Sequence, residues 1–593
     1  MLRRSFQLLN NRFIGMTGGD VIREKLSEYK IGHVFGYCGG CNLPILNGFY
    51  GSDYPKFMGA CTELGAGFMA TGYAKTKNIP GVAITTSGPG MTNALTALYD
   101  ANADHVPLIV LSGQVTTSAL GTDAFQEAPA INMAKPVTKW VHQLQDINHL
   151  PSVMDHAYKI AMNDVKGAVF IDLPKDLMVK TVTGPYDIDT EYKYKYVTTN
   201  NFVLDSDIDK VAELIKKAKR PIIFAGQGAK HCYKLVRIIA QRANIPVTTS
   251  LHGLGIFDEN HQYSLKMVGM HGSAAANFAL QEADLIIGIG VRFDDRTIGT
   301  IGTYAPKAHE AYNRNEGGII SINLDRLKTI KPHFDFNYDC KKFLGLLYHK
   351  IVPQNRDEWI NHIVKLKQDN PFRYKYEDNV IKTQDVLIAL NKKLSGKEFI
   401  VSTGVGNHQQ FASMYITFNK PNRFLTSGSA GTMGVCLPYL VGSYYAYRDS
   451  KHTPLLIGID GDGSFNMTMN ELQHIARYNV PVKIFIMNDK QLQMVATWQD
   501  LFFDGRIIAT DSYNPNYSML GNAWGIRVVK IRNRKELKDA LKLITSPEPI
   551  IFDCQVTSTY CLPLVAPGKA LDDMILYQDD LLNTNFDKVN APA

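Results

Sequence analysis

Continuous runs of Val, Ile and Leu recur along the chain, and several are followed by a glycine-rich turn and then by residues with helical periodicity. Three such segments are PGVAITTSGPGMTNALTALYDA, RPIIFAGQGAKHCYKLVRIIAQRAN and PLLIGIDGDGSFNMTMNELQHIARYN. Strands that are apolar throughout are buried on both faces, which is typical of parallel sheets covered by helices. The pattern therefore predicts an α/β fold of doubly wound parallel sheets.

Two polar stretches divide this pattern. Residues 183–207 are rich in turn formers, and residues 350–380 carry much charge and little strand pattern. We therefore expect three domains, over residues 14–185, 205–355 and 380–577, each large enough to bury its own core.

Composition narrows the classes of partner. The chain has 593 residues, 45% hydrophobic and 20% charged, with a formal net charge of +7. Its Lys and Arg residues are scattered, and no apolar run reaches the roughly 18 to 20 residues of a membrane span, so we expect neither nucleic acid nor membrane as a partner. The basic opening MLRRSFQLLNNRF fits a short transit peptide and an ordinary extension equally well. We expect a cytoplasmic protein, with a mitochondrial location as the alternative.

The most specific motif is the turn DGDGS, which follows one strand-like run, TPLLIGI, and precedes a second, VPVKIFIMN. It resembles the signature of thiamine diphosphate enzymes. Magnesium bridges diphosphate oxygens and takes one or two protein carboxylates or carbonyls, and the ends of parallel strands and the starts of helices are where such groups bind. The resemblance implies Asp462, Asp489 and Gln491 as metal ligands, with Gly463 and Ser464 beside the phosphates.

The same region departs from the family at two positions. The family usually has Asn where this chain has Asp489, and Gly where it has Gln493. An extra carboxylate still ligates magnesium but adds negative charge beside the diphosphate, while Gln493 must adopt the backbone angle that Gly allowed. Taken alone, DGDGS could equally be an ordinary tight turn after a strand. The spacing of the strand, the helix and the pair of acids favours the cofactor site instead.

A second motif, CTELGAGFMATGYAK, places Glu63 at the start of a helical stretch. A glutamate in the first turn of a helix is usually a solvated partner of the helix dipole. The segment, however, resembles the family pattern E-x-G-A-x-x-M-A-x-G-Y-A, in which the glutamate protonates the aminopyrimidine of thiamine. The resemblance therefore implies Glu63 as the catalytic acid, although Leu64 stands where the family has Gln.

Two further glycine-rich turns, FGYCGG and TSGPG, resemble the family's F-G-Y-P-G-G and T-S-G-P-G, with Cys38 in place of the usual Pro. Such turns bring backbone close to a cofactor ring. The contacts that this resemblance implies are Tyr37, Gly39, Gly40, Pro89 and Asn93.

Four segments, GTDAFQEA, DLPKD, RFDDR and LPLVAPG, narrow the resemblance to the catalytic subunits of acetohydroxyacid synthases, over about residues 16–576. It implies decarboxylative condensation of pyruvate with a second 2-ketoacid, as in branched-chain amino-acid biosynthesis, by a homodimer or homotetramer. Arg and Lys suit ketoacid carboxylates. The substrate-channel residues that it implies are Phe125, Gln126, Lys175, Arg296, Met494 and Trp498.

The three domains then correspond to the pyrimidine-binding, central FAD-type and diphosphate-binding domains of this family. The family's diphosphate contacts and hydrophobic wedge match Asn407, His408, Gly431 and Met433. Its FAD contacts match Gly226, Gly228, Leu251, Met270, His271, Gly290 and Arg292. Val165 stands where the family has a flavin-contacting Arg, which predicts that FAD is held weakly or not at all.

Other functions stay open at this point. One alternative is a related thiamine diphosphate carboligase or 2-ketoacid decarboxylase, which its product would distinguish. Another is a catalytically weak paralogue with a binding or regulatory role, against which the retained Glu63 and Asp462 argue. The substitutions that motivate the second alternative are at Cys38, Leu64, Val165, Asp489 and Gln493. The resemblance also leaves open whether a regulatory small subunit exists.

Overall fold

A computed structural model describes residues 11–185, 202–448, 450 and 452–577. Three six-stranded sheets dominate these residues, and every strand pair within them is parallel. Helices lie between the strands along the chain, so the predicted α/β class with three parallel sheets is confirmed. Within the described ranges, no helix has both the length and the apolar content needed to cross a membrane.

The first sheet follows the order β2-β1-β3-β4-β6-β5. Its strands are β1 (His33–Gly36), β2 (Lys56–Gly59), β3 (Gly81–Thr85), β4 (Leu108–Gln114), β5 (Trp140–Gln143) and β6 (Ala168–Pro174). Its helices are α1 (Gly18–Glu28), α2 (Leu43–Asn47), α3 (Glu63–Lys77), α4 (Pro89–Ala103), α5 (Ala130–Ala134), α6 (Leu150–Met162) and α7 (Lys175–Val179). Strands β3 and β4 are buried at every position, as their apolar runs Val82–Ile84 and Leu108–Leu111 predict.

The second sheet follows the order β12-β11-β10-β7-β8-β9. Its strands are β7 (Pro221–Ala225), β8 (Val247–Thr249), β9 (Ser264–Met267), β10 (Leu285–Ile289), β11 (Gly318–Asn323) and β12 (Phe334–Asn337). Its helices are α8 (Asp205–Lys217), α9 (Tyr233–Arg242), α10 (Ala274–Glu282), α11 (Asp295–Ile298), α12 (Pro306–Asn313) and α13 (Cys340–Lys350).

The third sheet follows the order β14-β13-β15-β16-β18-β17. Its strands are β13 (Phe399–Thr403), β14 (Phe424–Leu425), β15 (Leu455–Gly461), β16 (Val482–Asn488), β17 (Arg527–Ile531) and β18 (Ile550–Gln555). After α14 (Asp357–Asp369), its helices are α15 (Thr383–Leu394), α16 (Asn407–Tyr415), α17 (Cys436–Tyr447), α18 (Asp462–Asn466), α19 (Leu472–Tyr478), α20 (Gln493–Phe502), α21 (Tyr517–Trp524) and α22 (Arg534–Ala540). A short antiparallel pair, β19 (Leu564–Val565) with β20 (Met574–Ile575), follows.

The two polar stretches between the sheets differ in what the structure describes of them. Most of the first stretch, residues 186–201, lies outside the described residues. The second contains helix α14, which packs on the second sheet through buried Trp359 and Ile363, and the indole of Trp359 donates to the carbonyl of Pro221 at 3.0 Å. The charged residues within α14 therefore lie on the outer face of a helix, whereas residues 370–380 form no helix or strand.

The first and third sheets meet through helices α3 and α17, whose buried residues belong to one hydrophobic core. The two backbones approach closely at two glycines. A Cβ atom on Gly72 would lie 2.4 Å from the carbonyl oxygen of Tyr439, and one on Gly442 would lie 2.0 Å from that of Met69. Only glycine allows this approach, which sets the position of α3 relative to the third sheet.

Candidate functional site

Two carboxylates lie side by side at the carboxyl ends of β15 and β16. The two strands are paired so that Gly461 lies opposite Met487, which brings the residues that follow them, Asp462 and Asp489, to the same edge of the sheet. Asp462 accepts hydrogen bonds from the backbone N–H groups of Gly463 and Lys490, each at 2.7 Å. Its orientation is therefore fixed both by its own turn and by the backbone that follows β16.

The second carboxylate, Asp489, accepts from the hydroxyl of Ser558 at 3.1 Å and from the N–H of Gln491 at 3.3 Å. Burial, followed by the neighbouring charge of Asp462, raises the pKa of Asp489 to about 7. Burial likewise raises the pKa of Asp462. Two neighbouring carboxylates, one buried and one half-buried, suit a hard divalent cation such as Mg²⁺, which would relieve their repulsion.

Small residues surround this pair on the side expected for the phosphates. Ser464 Oγ accepts from the N–H of Gly434 at 2.9 Å, and a Cβ atom on Gly463 would lie 2.3 Å from Leu492 and 3.8 Å from Met433. Helix α16 begins here with Asn407 and His408, and His408 Nε2 lies 3.2 Å from Asp460 Oδ1. Gly431 has a positive φ of 67° and open space around its Cα.

The predicted catalytic acid Glu63 is the first residue of α3 and is only 7% exposed. Thr62 caps the helix by accepting from the N–H of Gly65 at 3.0 Å. The Glu63 carboxylate accepts from the side-chain amide of Asn93 on α4 at 3.1 Å. The structure thus joins two predicted site residues, and Asn93 fixes the tip of the glutamate side chain.

The glycine-rich turns pack against each other around this glutamate. A Cβ atom on Gly39 would lie 2.5 Å from Thr86, whose hydroxyl accepts from the N–H of Cys41 at 3.2 Å. Helix α4 begins at Pro89, and Tyr37 and Gly40 lie on the outer side of their loop, where Gly40 has open space. Cys38, which stands where the family has Pro, is exposed.

The predicted substrate-channel residues lie on four separate segments. Gln126 has a positive φ of 62° and its backbone packs over Gly88 of the TSGPG turn. Arg296 donates to the sulfur of Met270 at 3.2 Å. The remaining four residues are Phe125, which is exposed, Lys175, which is exposed at the start of α7, and Met494 and Trp498, which are half-buried on α20.

The candidate FAD residues form two groups. The glycine turns touch directly, since a Cβ atom on Gly226 would lie 2.3 Å from the carbonyl oxygen of Gly290, and Gly228 approaches the same residue. Arg292 donates to Ser429 Oγ at 2.6 Å and to the carbonyl of Ala103 at 3.2 Å, where the three domains meet. The second group consists of Leu251, Met270 and His271. Leu251 begins a 3₁₀ turn, and the sulfur of Met270 accepts from Arg296. The imidazole of His271 is buried, and its Nδ1 lies 3.4 Å from the carbonyl oxygen of Pro563.

The hydrogen bonds of the described residues leave two separate clusters, one around Glu63 and one around Asp462. Sequence reasoning missed Asn514, which donates to Asp462 at 2.6 Å and to Asn488 at 3.0 Å. It also missed Glu471, which contacts the segment before Glu63. Neither residue lies in a recognisable motif, and only the position of Glu471 nine residues after Asp462 connects it with the signature.

Comparisons with known proteins agree with this arrangement. Three family models match: the N-terminal TPP binding domain of thiamine pyrophosphate enzymes over residues 16–133, their central domain over 208–347 and their C-terminal TPP binding domain over 404–554. These ranges contain the Glu63 cluster, the candidate FAD turns and the Asp462 cluster, respectively.

Curated relatives cover nearly the whole chain. The chain is 39% identical to the acetolactate synthase catalytic subunit, mitochondrial, of Saccharomyces cerevisiae, over 97% of this chain and 85% of the yeast protein. It is 34% identical to the acetolactate synthase large subunit of Lactococcus lactis, over 94% of this chain and 96% of that protein. It is 32% identical to acetolactate synthase 1, chloroplastic, of Nicotiana tabacum, over 95% and 85%. The chain therefore belongs to the acetolactate synthase catalytic subunits, a family of thiamine diphosphate enzymes.

Proposed function

We propose that the chain condenses pyruvate with a second 2-ketoacid, with loss of carbon dioxide, to give 2-acetolactate or its ethyl homologue. The observation that supports this most directly is the buried carboxyl of Glu63, held by Asn93, in the same chain as the paired carboxylates Asp462 and Asp489. Thiamine chemistry requires an acid that is shielded from water beside one half of the cofactor. It also requires a cation site for the other half.

Each candidate residue then has one task. Bound thiamine diphosphate supplies an electron sink for decarboxylation. Glu63 holds a proton at its carboxyl oxygen, and Asp462, Asp489 and Gln491 would hold Mg²⁺, which would bind the diphosphate. Arg296 binds a ketoacid carboxylate through two parallel hydrogen bonds from its guanidinium, and Lys175 binds one through the charge of its ammonium. Gln126 and Trp498 orient the second ketoacid in the channel.

The residues present fit FAD only in part. The glycine turns at Gly226, Gly228 and Gly290 match the family pattern but pack directly on one another, and Arg292 offers a guanidinium. Val165, in contrast, offers no charge, because its side chain is apolar. We propose that the chain holds FAD weakly or not at all, and the reaction has no redox step that would need it.

We further propose an assembly of at least two chains. The Glu63 and Asp462 clusters have no hydrogen bond to each other in the described chain, so the cofactor site is complete if each cluster meets the other in a second copy, as a homodimer or homotetramer.

The words "catalytic subunit" in the names of relatives support a regulatory subunit as a further partner. Two yeast relatives are named mitochondrial, which favours the mitochondrial alternative over the cytoplasmic location.

The domain bounds 14–185, 205–355 and 380–577 stay a prediction.

The test is product identification. Purified protein is incubated with pyruvate, Mg²⁺ and thiamine diphosphate, with and without 2-ketobutyrate, and we expect an acetohydroxyacid. Acetaldehyde as the main product would contradict the proposal and favour a decarboxylase, and absence of turnover with bound cofactor would favour the weak paralogue. Glu63→Gln should lower turnover by about 10² or more, because an amide cannot donate the proton. A Glu63→Gln variant with wild-type rates would remove Glu63 from the mechanism.

A further inference from the structure

The last residue of β2, Gly59, and the loop from there to α3, residues 60–62, are held by residues 470–474 of the third domain. The imidazole Nδ1 of His474 lies 2.7 Å from the carbonyl oxygen of Gly59. The thiol of Cys61 lies against the same segment, with Sγ 2.8 Å from Gln473 Oε1. The loop that leads into Glu63 is therefore fixed from outside its own domain.

Glu471 makes the central contacts of this group. Its side chain is fully buried, at 0% exposure, and its two oxygens accept from the N–H of Cys61 at 3.2 and 3.0 Å. The Thr62 hydroxyl donates to it at 3.4 Å. A Cβ atom on Gly65 would lie 1.9 Å from Glu471 Oε1. The carboxylate thus touches the residues on both sides of Glu63, and Gly65 leaves the space for it.

A buried carboxylate is costly unless hydrogen bonds compensate for its lost hydration. Burial raises the pKa of Glu471 to about 7, and the donors from Cys61 and Thr62 oppose that rise. Its negative charge also lies at the N-terminal end of a helix, where it is favourable. These contacts fix the first turn of α3, whereas Asn93 reaches only the end of the Glu63 side chain.

We propose that Glu471 is a positioning residue for Glu63: by holding the loop and first turn of α3, it sets the place from which the Glu63 carboxyl reaches the cofactor. This inference rests on the proposed role of Glu63. Proton transfer needs heavy atoms within about 2.6 to 3.2 Å of each other. A displacement of about 1 Å at the start of α3 therefore lowers the rate of that transfer by up to about 10².

The variant that tests this is Glu471→Gln, which keeps the size of the side chain but turns one acceptor into a donor facing the N–H of Cys61. The readout is the exchange with D₂O of the C2 proton of bound thiamine diphosphate, which needs no substrate. We expect roughly ten- to hundredfold slower exchange, with an equal fall in kcat. The KM for pyruvate and the Kd for thiamine diphosphate should stay close to those of the wild type.

The matched control is Gln473→Ala, since among the described residues the side chain of Gln473 hydrogen-bonds this loop through the thiol of Cys61 alone. The C2 proton of thiamine diphosphate bound to this variant should exchange at the wild-type rate, even if the melting temperature of the variant falls. A folded Glu471→Gln variant with wild-type exchange would overturn the inference. So would slow exchange in both variants in proportion to their lost stability, because Glu471 would then act only as a structural contact.

Two further variants separate this inference from the proposed function. If the C2 proton exchanges at the wild-type rate in Glu63→Gln, the proposed role of Glu63 fails and the inference fails with it. If Glu63→Gln slows exchange while Glu471→Gln does not, only the inference fails. Should Glu471→Gln not fold, Glu471→Asp retains the charge with a shorter reach, and wild-type exchange in that variant would overturn the inference as well.

Discussion

At the scale of single residues, Asp489 is the clearest departure from the family pattern. When both carboxyls are ionised, the pair that it forms with Asp462 would offer a cation two negative charges, where an Asp and Asn pair would offer one. The number of charged ligands is one of the factors that set cation affinity. The paired site should therefore bind a divalent cation even before the diphosphate arrives.

We predict that Asp489→Asn lowers the affinity of the cofactor-free protein for Mn²⁺ by about tenfold, equivalent to about 1.4 kcal/mol. The difference should shrink when thiamine diphosphate is present, because its oxygens then supply the negative charge. Titration followed by electron paramagnetic resonance measures both affinities. Asp504→Asn is the control, since that carboxylate is exposed. Equal Mn²⁺ affinity in wild type and Asp489→Asn would show that residue 489 does not ligate the ion.

Val165 is a second informative residue. Its carbonyl oxygen accepts from the ammonium of Lys139 at 2.6 Å, and the neighbouring Lys166 donates to Asn78 at 2.5 Å. Both neighbouring ammonium groups are thus already engaged, and neither replaces the guanidinium that the family has at position 165. The loss of one charge-assisted hydrogen bond costs about 1.5 to 3 kcal/mol.

We expect purified wild-type protein to retain thiamine diphosphate and to lose FAD on desalting. Val165→Arg should raise FAD affinity about ten- to hundredfold, as followed by flavin fluorescence quenching. Val165→Leu, which adds volume without charge, should bind no better than the wild type. Stoichiometric flavin in desalted wild-type protein would show that the remaining contacts suffice without an arginine.

At the scale of elements, the sequence predicted most where a local pattern determines the structure. The apolar runs of β3, β15 and β16 predicted buried parallel strands, and parallel pairing then placed Asp462 and Asp489 at one edge. Contacts between distant segments carry no such pattern. Glu471 and Cys61 are 410 residues apart, and Asn514 lies 52 residues from Asp462. Only packing of the finished elements brings these residues together.

The crossing of α3 and α17 gives a prediction about packing. Gly442→Ala should lower the free energy of unfolding by about 1 to 3 kcal/mol, because the new methyl group would overlap the backbone of Met69. Gly345→Ala, in helix α13 with open space around it, should be neutral or raise that free energy by about 0.4 to 1 kcal/mol. Urea denaturation followed by circular dichroism measures both. Equal stability of the two variants would mean that the helices can move apart at little cost.

At the scale of the whole molecule, the three domains meet at one buried carboxylate. Asp104 lies 2.8 Å from the ammonium of Lys75, 3.0 Å from the imidazole of His252, and 2.8 Å from the N–H of Ser429. Burial alone would raise the pKa of Asp104, but its contacts with His252 and Lys75 overcome that effect and hold the pKa well below its usual value. One residue from each domain thus contacts the same group, which keeps the Glu63 and Asp462 clusters of a chain in fixed relation.

This fixed relation makes the proposed assembly testable by mixing two inactive variants. If Glu63 of one chain works with Asp462 of another, a mixed dimer of Glu63→Gln and Asp462→Ala chains has one doubly substituted site and one intact site. Random association makes half of the dimers mixed, so refolding equal amounts together should restore about a quarter of wild-type activity per chain.

The control for that experiment mixes Glu63→Gln with the double variant Glu63→Gln/Asp462→Ala, which leaves no intact site in any dimer. Light scattering on the same samples should show at least a dimer. If both clusters served one site within a single chain, every chain would carry a defect and mixing would restore nothing. Recovery in the first mixture alone therefore requires a site shared between two chains, because only exchange of partners can bring an unaltered Glu63 to an unaltered Asp462.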